Sequence, residues 1–526
     1  MKGVKMLLIV AGVLLFAAYP AMADTINVPA DETTIQDAID AAEDGDKIKV
    51  AAGTYNEEIT IDDKKDLKIV GDGKNQTFID GTGLSGDVVT ITDSKKITIK
   101  KLTIRNAVDD NVYIDWTATA DSIPTEEVKI ASCIIKDATN DGIDCDEFLD
   151  LTIKDCTIET NGGDGIYFGD YCQDAWITDN TIDDNGSYGI DLSYGSNVYI
   201  EGNTVTNNSS YGIYHSDGIP VWVLDNTVED NDSDGIYMSG YYGYEAWVKN
   251  NHVEGNNGYG IYMYQAGKIC DNEVLDNSSE GIYDDYGSII KNNKVKLNGD
   301  DGIYSSSGYG VIIKGNSVKE NDDDGIYCSD YNAFVENNTV KDNLGSYGIH
   351  VYGYGSMVLD NTVTGNSGDG IYNDDDVCTI KGNLADDNDG DGIVPYYDSV
   401  ICASNTSTNN TGLGIYSDDY GVTIRRNIVN DNGDDGIEGD YYNIIEDNTV
   451  KSNDGDGITN VYFSRVLGNT VKDNTDHGID AEGNDGSLIK NNTATGNGSG
   501  CCFDLNDDDP VDDFWKNNTY DTASWD

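Results

Sequence analysis

The sequence predicts an all-β fold, a single-stranded right-handed parallel β-helix of roughly 20 coils with an N-terminal capping helix. A Gly-Ile pair recurs at spacings of 21 to 25 residues, and an Asn-x-Val motif lies between successive pairs. Apolar residues alternate with polar ones around both motifs, and Asn, Asp and Gly separate the apolar groups. This pattern predicts three short strands per coil, each coil covered by its neighbours.

The first 23 residues have the features of a secretory signal. Two lysines precede an apolar run over residues 6–18, and Ala21 and Ala23 supply small residues at the expected cleavage site. This arrangement predicts a signal peptide over residues 1–23. We therefore expect a secreted protein, extracellular or in the cell envelope, with no transmembrane segment in the mature chain.

Residues 24–105 are expected to form an N-terminal cap and the first coils of the β-helix. Residues 33–42 predict an amphipathic helix with a threonine N-cap, which would cover the open end of the first coil. Its apolar face consists of Ile35, Ala38, Ile39 and Ala42. The alternating segments that follow, such as residues 46–50 and 67–71, predict the first strands.

Residues 106–500 carry the regular repeat, and residues 501–526 are expected to cap its C-terminal end. The Gly-Ile pairs begin at Gly142 and the Asn-x-Val asparagines at Asn180, and a second asparagine follows five residues after each of the latter. Buried amides that stack in a turn can bond one another and the local backbone. The asparagines therefore predict ladders that hold successive coils together.

The helix, the first strands and the two repeated motifs together resemble one known superfamily. They are the Ile-Gln-x-Ala-Ile helix at 35–39, the Gly-Asp-x-Ile-x-Val strand at 45–50, the Gly-Thr-Tyr segment at 53–55, and the Asn and Gly-Ile ladders. These features resemble the pectate-lyase-like right-handed β-helix superfamily, which has the pectin lyase fold, over nearly all of residues 24–526. The resemblance implies the fold. It leaves the activity open among polysaccharide lyases, hydrolases, esterases, epimerases, adhesins and cell-envelope proteins.

The net charge restricts the partners of the chain. Its 96 Asp and Glu residues outnumber 32 Lys and Arg residues and give a formal charge of -64. A body this negative would repel a phosphate backbone, so the sequence excludes nucleic-acid binding. Polysaccharides, other envelope proteins and further copies of the chain remain as partners.

Catalytic residues are sparse, and the sequence leans against an enzyme. The resemblance implies that family members cutting acidic polysaccharides use long loops with Arg or Lys and Asp, but this chain has four arginines and no coil above 25 residues between Gly142 and Gly500. The best catalytic candidates are Asp476 and His477, which resemble the His-Gly of some polygalacturonases and the Asp/His sites of mannuronan epimerases. His477 also fills a position that elsewhere holds Asp or Tyr, so a turn residue is the alternative.

Aromatic residues form a candidate carbohydrate-binding platform. Four residues before the ladder asparagine, on the outward face, stand Trp176, Tyr199, Trp222 and Trp247. Flat rings in register on an exposed face can bind sugars, because they offer rigid apolar area. Rings that stack on each other, or that lie under a neighbouring subunit, are the alternative. A second outward stripe follows Gly-Ile, and ladder stabilisation is favoured for it: Tyr214, Tyr237, Tyr262, Tyr283, Tyr304 and Tyr327.

Stacked aspartates are candidate metal ligands. They precede Gly-Ile in adjacent coils and form three pairs, Asp301 with Asp324, Asp369 with Asp391, and Asp435 with Asp456. Carboxylates about 5 Å apart repel each other, and a divalent cation such as calcium would relieve that repulsion. A solvated acidic edge with diffuse counterions is the alternative reading.

Cysteine positions allow one disulfide to be predicted. Cys133 and Cys156 occupy the asparagine-ladder position in adjacent coils, and the spacing between paired strands falls inside the Cα range of a disulfide. Buried thiols that fill space are the alternative.

Two functional hypotheses follow from these observations. The first is a secreted structural or adhesive β-solenoid of the cell envelope, sheath or extracellular matrix, which associates with itself or contacts glycans. The second is a carbohydrate-active enzyme, such as a polysaccharide lyase, hydrolase or epimerase, or a polysaccharide-binding protein that uses the aromatic platform.

Overall fold

The chain winds through three parallel β-sheets, called A, B and C here, in that order within each turn. A computed structural model describes residues 23–117, 124–218, 220–240, 246–481, 486–498, 502–507 and 513–525. The strand bounds of sheet A are Thr25–Val28, Lys47–Val50, Lys68–Gly71, Thr98–Lys100, Glu126–Ala131, Phe148–Lys154, Cys172–Thr178, Ser196–Glu201, Val221–Leu224, Ala246–Lys249, Gly267–Cys270, Ile289–Lys291, Ile312–Lys314, Phe334–Glu336, Met357–Leu359, Thr379–Lys381, Ile401–Ala403, Thr423–Arg425, Ile444–Glu446, Arg465–Leu467, Leu488–Lys490 and Phe514–Lys516.

Sheets B and C follow the same order along the chain. The strands of sheet B are Gly53–Tyr55, Thr77–Asp80, Thr103–Arg105, Ile134–Lys136, Thr157–Glu159, Thr181–Asp183, Thr204–Thr206, Thr227–Glu229, His252–Glu254, Glu273–Leu275, Lys294–Lys296, Ser317–Lys319, Thr339–Lys341, Thr362–Thr364, Leu384–Asp386, Thr406–Thr408, Ile428–Asn430, Thr449–Lys451, Thr470–Lys472, Thr493–Thr495 and Thr519–Tyr520. The strands of sheet C are Ile59–Asp62, Val89–Thr92, Val112–Asp115, Ile143–Cys145, Ile166–Phe168, Ile190–Leu192, Ile213–His215, Ile236–Met238, Ile261–Met263, Ile282–Asp284, Ile303–Ser305, Ile326–Cys328, Tyr347–Val351, Asp369–Asn373, Ile393–Pro395, Ile415–Tyr416, Ile437–Glu438, Ile458–Thr459, Ile479–Asp480 and Leu505–Asn506. About 21 turns confirm the predicted right-handed parallel β-helix.

One narrow core runs through all of these turns. Each strand is short, so it contributes one or two inward side chains, as Ile177, Ile182 and Ile190 do in successive sheets of one turn. All three are 0% exposed, because the turns above and below cover them. A modest apolar fraction is therefore sufficient for a continuous core.

The predicted asparagine ladders are present at the two bends that flank sheet B. The side-chain amide of Asn180 donates to Oδ1 of Asn203 at 3.0 Å and to the carbonyl oxygen of Ile153 at 2.9 Å. Asp179, which precedes it, has a φ of 56°, a left-handed conformation that Asp and Asn tolerate better than most residues. The second ladder repeats this geometry from Asn185 onward. Each buried amide is thus satisfied by the next turn.

The predicted capping helix spans Ile35–Ala41, with Thr34 as its N-cap. The Thr34 hydroxyl accepts the backbone N–H of Asp37 at 3.0 Å. Ile35, Ala38 and Ile39 are buried against the first turn, as expected from their spacing. The sequence reading missed the strand Thr25–Val28, which pairs with Lys47–Val50 and starts sheet A ahead of the helix.

The C-terminal segment continues the strands of the β-helix. Leu505–Asn506, Phe514–Lys516 and Thr519–Tyr520 each pair with the preceding turn, so the segment adds a strand to all three sheets. Ala523 is buried and Trp515 packs against the end of the core. The predicted signal peptide, apart from Ala23, lies outside the described residues. Among the described residues, no helix is long and apolar enough to cross a membrane.

Candidate functional site

The four aromatic residues of the predicted platform form a ladder on the outward face of sheet A. The Trp176 and Tyr199 rings lie 6.0 Å apart at 2°, and the Tyr199 and Trp222 rings lie 4.2 Å apart at 5°. Trp247 is the register partner of Trp222 in the next turn, and the Lys268 ammonium lies 4.1 Å above its ring. The ring faces therefore lie against each other, and mainly ring edges point outward. This geometry favours self-stacking, and sugar binding by these residues stays a prediction.

The outward position of the aromatic ladder continues along the rest of sheet A. We call this column the sheet A stripe: Trp176, Tyr199, Trp222, Trp247, Lys268, Ile289, Ile312, Phe334, Met357, Thr379, Ile401, Thr423, Ile444, Arg465, Leu488 and Phe514. Phe334 is 40% exposed, Ile401 36% and Phe514 67%. The sequence reading stopped at Trp247, although the position four residues before each ladder asparagine finds the whole column.

A column rich in cations runs beside the sheet A stripe. We call it the lysine column, and its basic members are Lys249, Lys291, Lys314, Lys381, Arg425, Lys490 and Lys516. Each member lies two positions after a stripe residue on the same strand, so both columns face outward. Lys314 pairs with Glu336 of the next turn at 2.8 Å. The outer face of sheet A is therefore apolar and basic on a strongly acidic protein.

A pocket of about 320 Å³ lies next to the first rung of the ladder. It is lined by Trp116, Pro124, Thr125, Glu147, Phe148, Leu149, Tyr171 and Gln173. Tyr171 is 72% exposed, and Gln173 lies on the same strand as Trp176. Unlike the stacked rungs, this pocket combines aromatic side chains with a carboxylate and an amide in a concave surface, which is typical of small-ligand sites.

The six aspartates proposed as metal ligands hold backbone groups of the following turn. Oδ1 of Asp301 accepts the N–H of Asp324 at 2.8 Å, and Oδ1 of Asp324 accepts the N–H of Tyr347 at 2.8 Å. The other four aspartates also accept a backbone N–H through Oδ1. Asp369 accepts that of Asp391, Asp391 that of Leu413, Asp435 that of Asp456, and Asp456 that of His477. These carboxylates therefore act as acceptors in a third ladder, the aspartate ladder.

Burial changes the ionisation of the aspartate ladder. It raises the pKa of Asp301 to about 8, with the charge of Asp324 adding to the effect, and it raises the pKa of Asp324 to about 7. Burial also raises the pKa of Asp435 to about 7 and that of Asp391 to about 6. Protons can thus relieve part of the repulsion that a cation was invoked to relieve. Calcium binding stays a prediction.

His477 lies against Asp456 of the preceding turn. Its Nδ1 is 3.2 Å from Oδ1 of Asp456 and 3.9 Å from Oδ2 of Asp480, and the Asp456 hydrogen bond raises the pKa of His477. Asp476, the other catalytic candidate, instead accepts the Cys502 thiol at 3.7 Å. The structure therefore joins His477 to a predicted metal ligand, and a catalytic role for Asp476 and His477 stays a prediction.

Among the described residues, five groups of side chains have donor atoms close enough to share a metal ion, and three of them lie in the turns from Glu229 onward. Asp456, His477 and Asp480 form one, and Glu229, His252 and Glu254 form another on the outer face of sheet B. A third consists of Asp300, Asp301 and Asp323. Sequence reasoning missed the His252 group, because Glu229 and Glu254 share one repeat position in adjacent turns whereas His252 occupies another.

The second aromatic stripe and the predicted disulfide pair also stack between turns. The Tyr237 and Tyr262 rings lie 4.7 Å apart at 1°, which continues a tyrosine ladder on sheet C. Cys133 and Cys156 are buried free thiols in adjacent turns, and the Cys156 backbone N–H donates to Asn180 Oδ1. This places the cysteines at the predicted ladder position. A bridge between them is not formed in the structure and stays a prediction.

The sequence family agrees with this architecture. A family model described as "Right handed beta helix region" matches residues 87–246, 241–376 and 371–512, which is more than half of the chain. The chain belongs to the right-handed β-helix family. Among curated proteins, none matches it.

Solved structures with a similar fold include several proteins named for polysaccharides or phage tails. The Azotobacter vinelandii mannuronan C-5 epimerase AlgE6 A-module is 17% identical, with 66% of this chain and 92% of that chain covered and a TM-score of 0.37. The PL6 family alginate lyase AlyGC is 10% identical, with coverages of 90% and 85% and a TM-score of 0.33. The Dettilon tailspike protein is 12% identical, with coverages of 68% and 66% and a TM-score of 0.35. At these identities the likeness concerns the fold alone.

Proposed function

We propose that this protein is a secreted structural or adhesive β-solenoid of the cell envelope, sheath or extracellular matrix. The observation that carries the proposal is the sheet A stripe, in which apolar side chains occupy twelve of sixteen successive positions on an outer face. An outer face this rich in apolar side chains is typical of a contact site.

Two further features support a structural role. The repeats between Gly142 and Gly478 vary only from 21 to 25 residues, so they supply no long loop to wall a catalytic cleft. The asparagine and aspartate ladders use side chains to satisfy the backbone of an adjacent turn, which suits a stiff scaffold. Such a molecule makes its contacts through its exposed surface rather than through an enclosed site.

Fractionation of the source cells tests this proposal. We expect the protein in an insoluble envelope or sheath fraction, and we expect the purified mature chain to leave acidic polysaccharides unchanged in length and epimer content. Depolymerisation or epimerisation that is lost in Asp476→Ala or His477→Ala would refute the structural role and establish the carbohydrate-active alternative.

A glycan-binding role is the second candidate, and the pocket beside Trp176 favours it. Trp116→Ala removes one aromatic wall of that pocket, whereas Trp222→Ala removes a ring that is stacked on Tyr199 and does not line the pocket. If glycans bind in the pocket, affinity falls about tenfold or more in Trp116→Ala and is unchanged in Trp222→Ala. Equal affinities in both variants and the wild type would remove the pocket from consideration.

Calcium is proposed as a ligand of the acidic corner that precedes sheet C. One oxygen of each aspartate in the aspartate ladder accepts a backbone N–H, which leaves the second oxygen as a hard donor of the kind calcium prefers. Asp301 of this ladder also lies close to the carboxylates of Asp300 and Asp323, so the three side chains could share one ion. Calorimetric titration with calcium on wild type and Asp323→Asn tests the site, and identical heats in both would exclude it.

A further inference from the structure

We propose that the sheet A stripe is a lateral interface at which two copies of this chain pack face to face, with their long axes parallel. The proposal rests on the structural role proposed above and names the partner of its main surface.

The composition of the stripe suits a protein partner better than a glycan. Beyond Lys268 its members are mainly aliphatic, and Met357 (37%) and Ile401 (36%) are exposed although their side chains have no hydrogen-bonding group. A sugar would leave hydroxyl groups unpaired against such side chains, which is costly. An apolar face of a second chain would bury them without that cost.

The stripe has the area that a specific dimer needs. Its sixteen positions span fifteen steps of about 4.8 Å, or about 72 Å along the axis. With the lysine column beside it, the outward surface is about 12 Å wide, which gives about 900 Å² per copy. Standard interfaces bury about 800 Å² per partner. A second copy also has the same axial repeat, so side chains of both chains can interdigitate over the full length.

Charge makes this the face on which two acidic copies repel each other least. Of the 16 Lys and Arg residues between positions 246 and 516, nine lie in the stripe or the lysine column. Glu336 and Glu446 are the acidic residues of those columns in the same span. The whole chain carries a formal charge of -64, so the rest of its surface is strongly negative. Long-range repulsion therefore directs association of two copies to sheet A.

The orientation follows from what flanks the stripe. The lysine column lies on one side, and on the other side is the corner that precedes sheet A, with Asp376, exposed Asp398 and the exposed rings of Tyr309 and Tyr442. A two-fold axis along the stripe, parallel to the long axis, exchanges the two sides and sets lysines against that corner. An antiparallel pair would set the lysine column against itself, which is unfavourable.

Sedimentation equilibrium of the full mature chain tests the interface. The variant Phe334→Asp/Ile401→Asp adds two charges to the stripe, and the control Leu384→Asp/Ile428→Asp adds the same two charges to outward positions of sheet B. We expect wild type and control to dimerise equally, and the stripe variant to dimerise about 30-fold or more weakly. Thermal melting monitors the folding of each variant.

Three results would overturn the proposal. They are a wild type that is monomeric at concentrations up to about 100 μM, a stripe variant that dimerises like the wild type, and equal weakening in the stripe variant and the control. If the stripe variant fails to fold, crosslinking through one cysteine added to the ten native ones, in Thr379→Cys or in Leu488→Cys, decides the question. In a parallel pair, each introduced thiol lies near the same thiol of the other chain, so both variants crosslink at the introduced position. The wild type gives the background crosslinking.

Crosslinking at neither or only one of the two positions would contradict the parallel pair, because an antiparallel pair aligns a position with itself only near its centre. The outcomes also separate this inference from the proposed function. A monomer that still fractionates with the insoluble envelope refutes the interface and leaves the structural role standing. A dimer that depolymerises a polysaccharide refutes the structural role and leaves the interface standing.

Discussion

Replacing Asp301 by asparagine tests how the acidic corner of the β-helix is stabilised. Asp301 is 7% exposed, and its Oδ1 accepts the backbone N–H of Asp324 at 2.8 Å. Burial, reinforced by the charge of Asp324, raises its pKa to about 8. Asparagine keeps the acceptor oxygen and removes the charge, so the substitution isolates the cost of ionisation.

The size of that cost follows from the pKa. The ordinary value of 3.8 lies about three units below pH 7, and each unit corresponds to about 1.4 kcal/mol. The raised pKa of Asp301 therefore lowers the free energy of unfolding by at most about 4 kcal/mol at pH 7, because the folded protein must hold a proton that the unfolded chain releases. Because the pKa is higher in the folded state, this penalty is absent below about pH 4 and grows until about pH 8. Asp301→Asn should stabilise the protein at pH 8 and change little at pH 4.

Urea unfolding followed by circular dichroism at pH 4, 6 and 8, with a chelator present, measures the effect. Asp322→Asn is the matched control, since Asp322 is exposed in the turn of Asp324 and its loss also removes one negative charge. A midpoint of Asp301→Asn at pH 8 that equals the wild type would refute the argument, as would an equal rise in the control. Repeating the series with calcium shows whether an ion, rather than a proton, neutralises the ladder.

Three further predictions concern the ladders. Asn316→Ala removes the acceptor for the backbone N–H and the side-chain amide of Asn293, so we expect the free energy of unfolding to fall by about 2 to 4 kcal/mol. The control Asn257→Ala, at an exposed position, should change it almost not at all. Equal losses in the two variants would contradict the stabilising role of the ladder. Trp222→Ala should lower the unfolding free energy by about 1 to 2 kcal/mol through lost stacking at 4.2 Å, and an unchanged urea midpoint would count against a structural role for the ring. Peptide mapping of the protein without reductant should recover a linked Cys133–Cys156 peptide, and two unlinked thiols there would rule out the bridge.

Most of the fold could be predicted because each turn repeats the same local sequence pattern. Alternation around Asn180 and its equivalents predicted which side chains are inward, and the helix at Ile35–Ala41 followed from one threonine cap and an apolar face. The strand Thr25–Val28 and the strands of the last turn were missed, because they lack the repeat's Asn-x-Val and Gly-Ile landmarks.

The candidate sites were predicted less completely. The sequence placed Trp176 through Trp247 in one column, but ring orientation decides whether faces or edges are exposed, and side-chain packing sets that orientation. The aspartates were predicted as neighbours, whereas their use as acceptors for the N–H of the following turn depends on the bend geometry. His477 was paired with Asp476 by adjacency in sequence, and the structure places it against Asp456, 21 residues earlier.

The sequence by itself determined the β-helix, its turn length and its core, because a period of about 22 residues with buried asparagines is compatible with few other folds. It also determined the excess of acid along the chain. Only the tertiary structure decided that the sheet A stripe and the lysine column share one face, that Glu229, His252 and Glu254 meet, and that an aromatic pocket forms beside Trp176. The physical reason is that such surfaces depend on register and side-chain direction between turns, which local periodicity specifies for buried positions and leaves free for exposed ones.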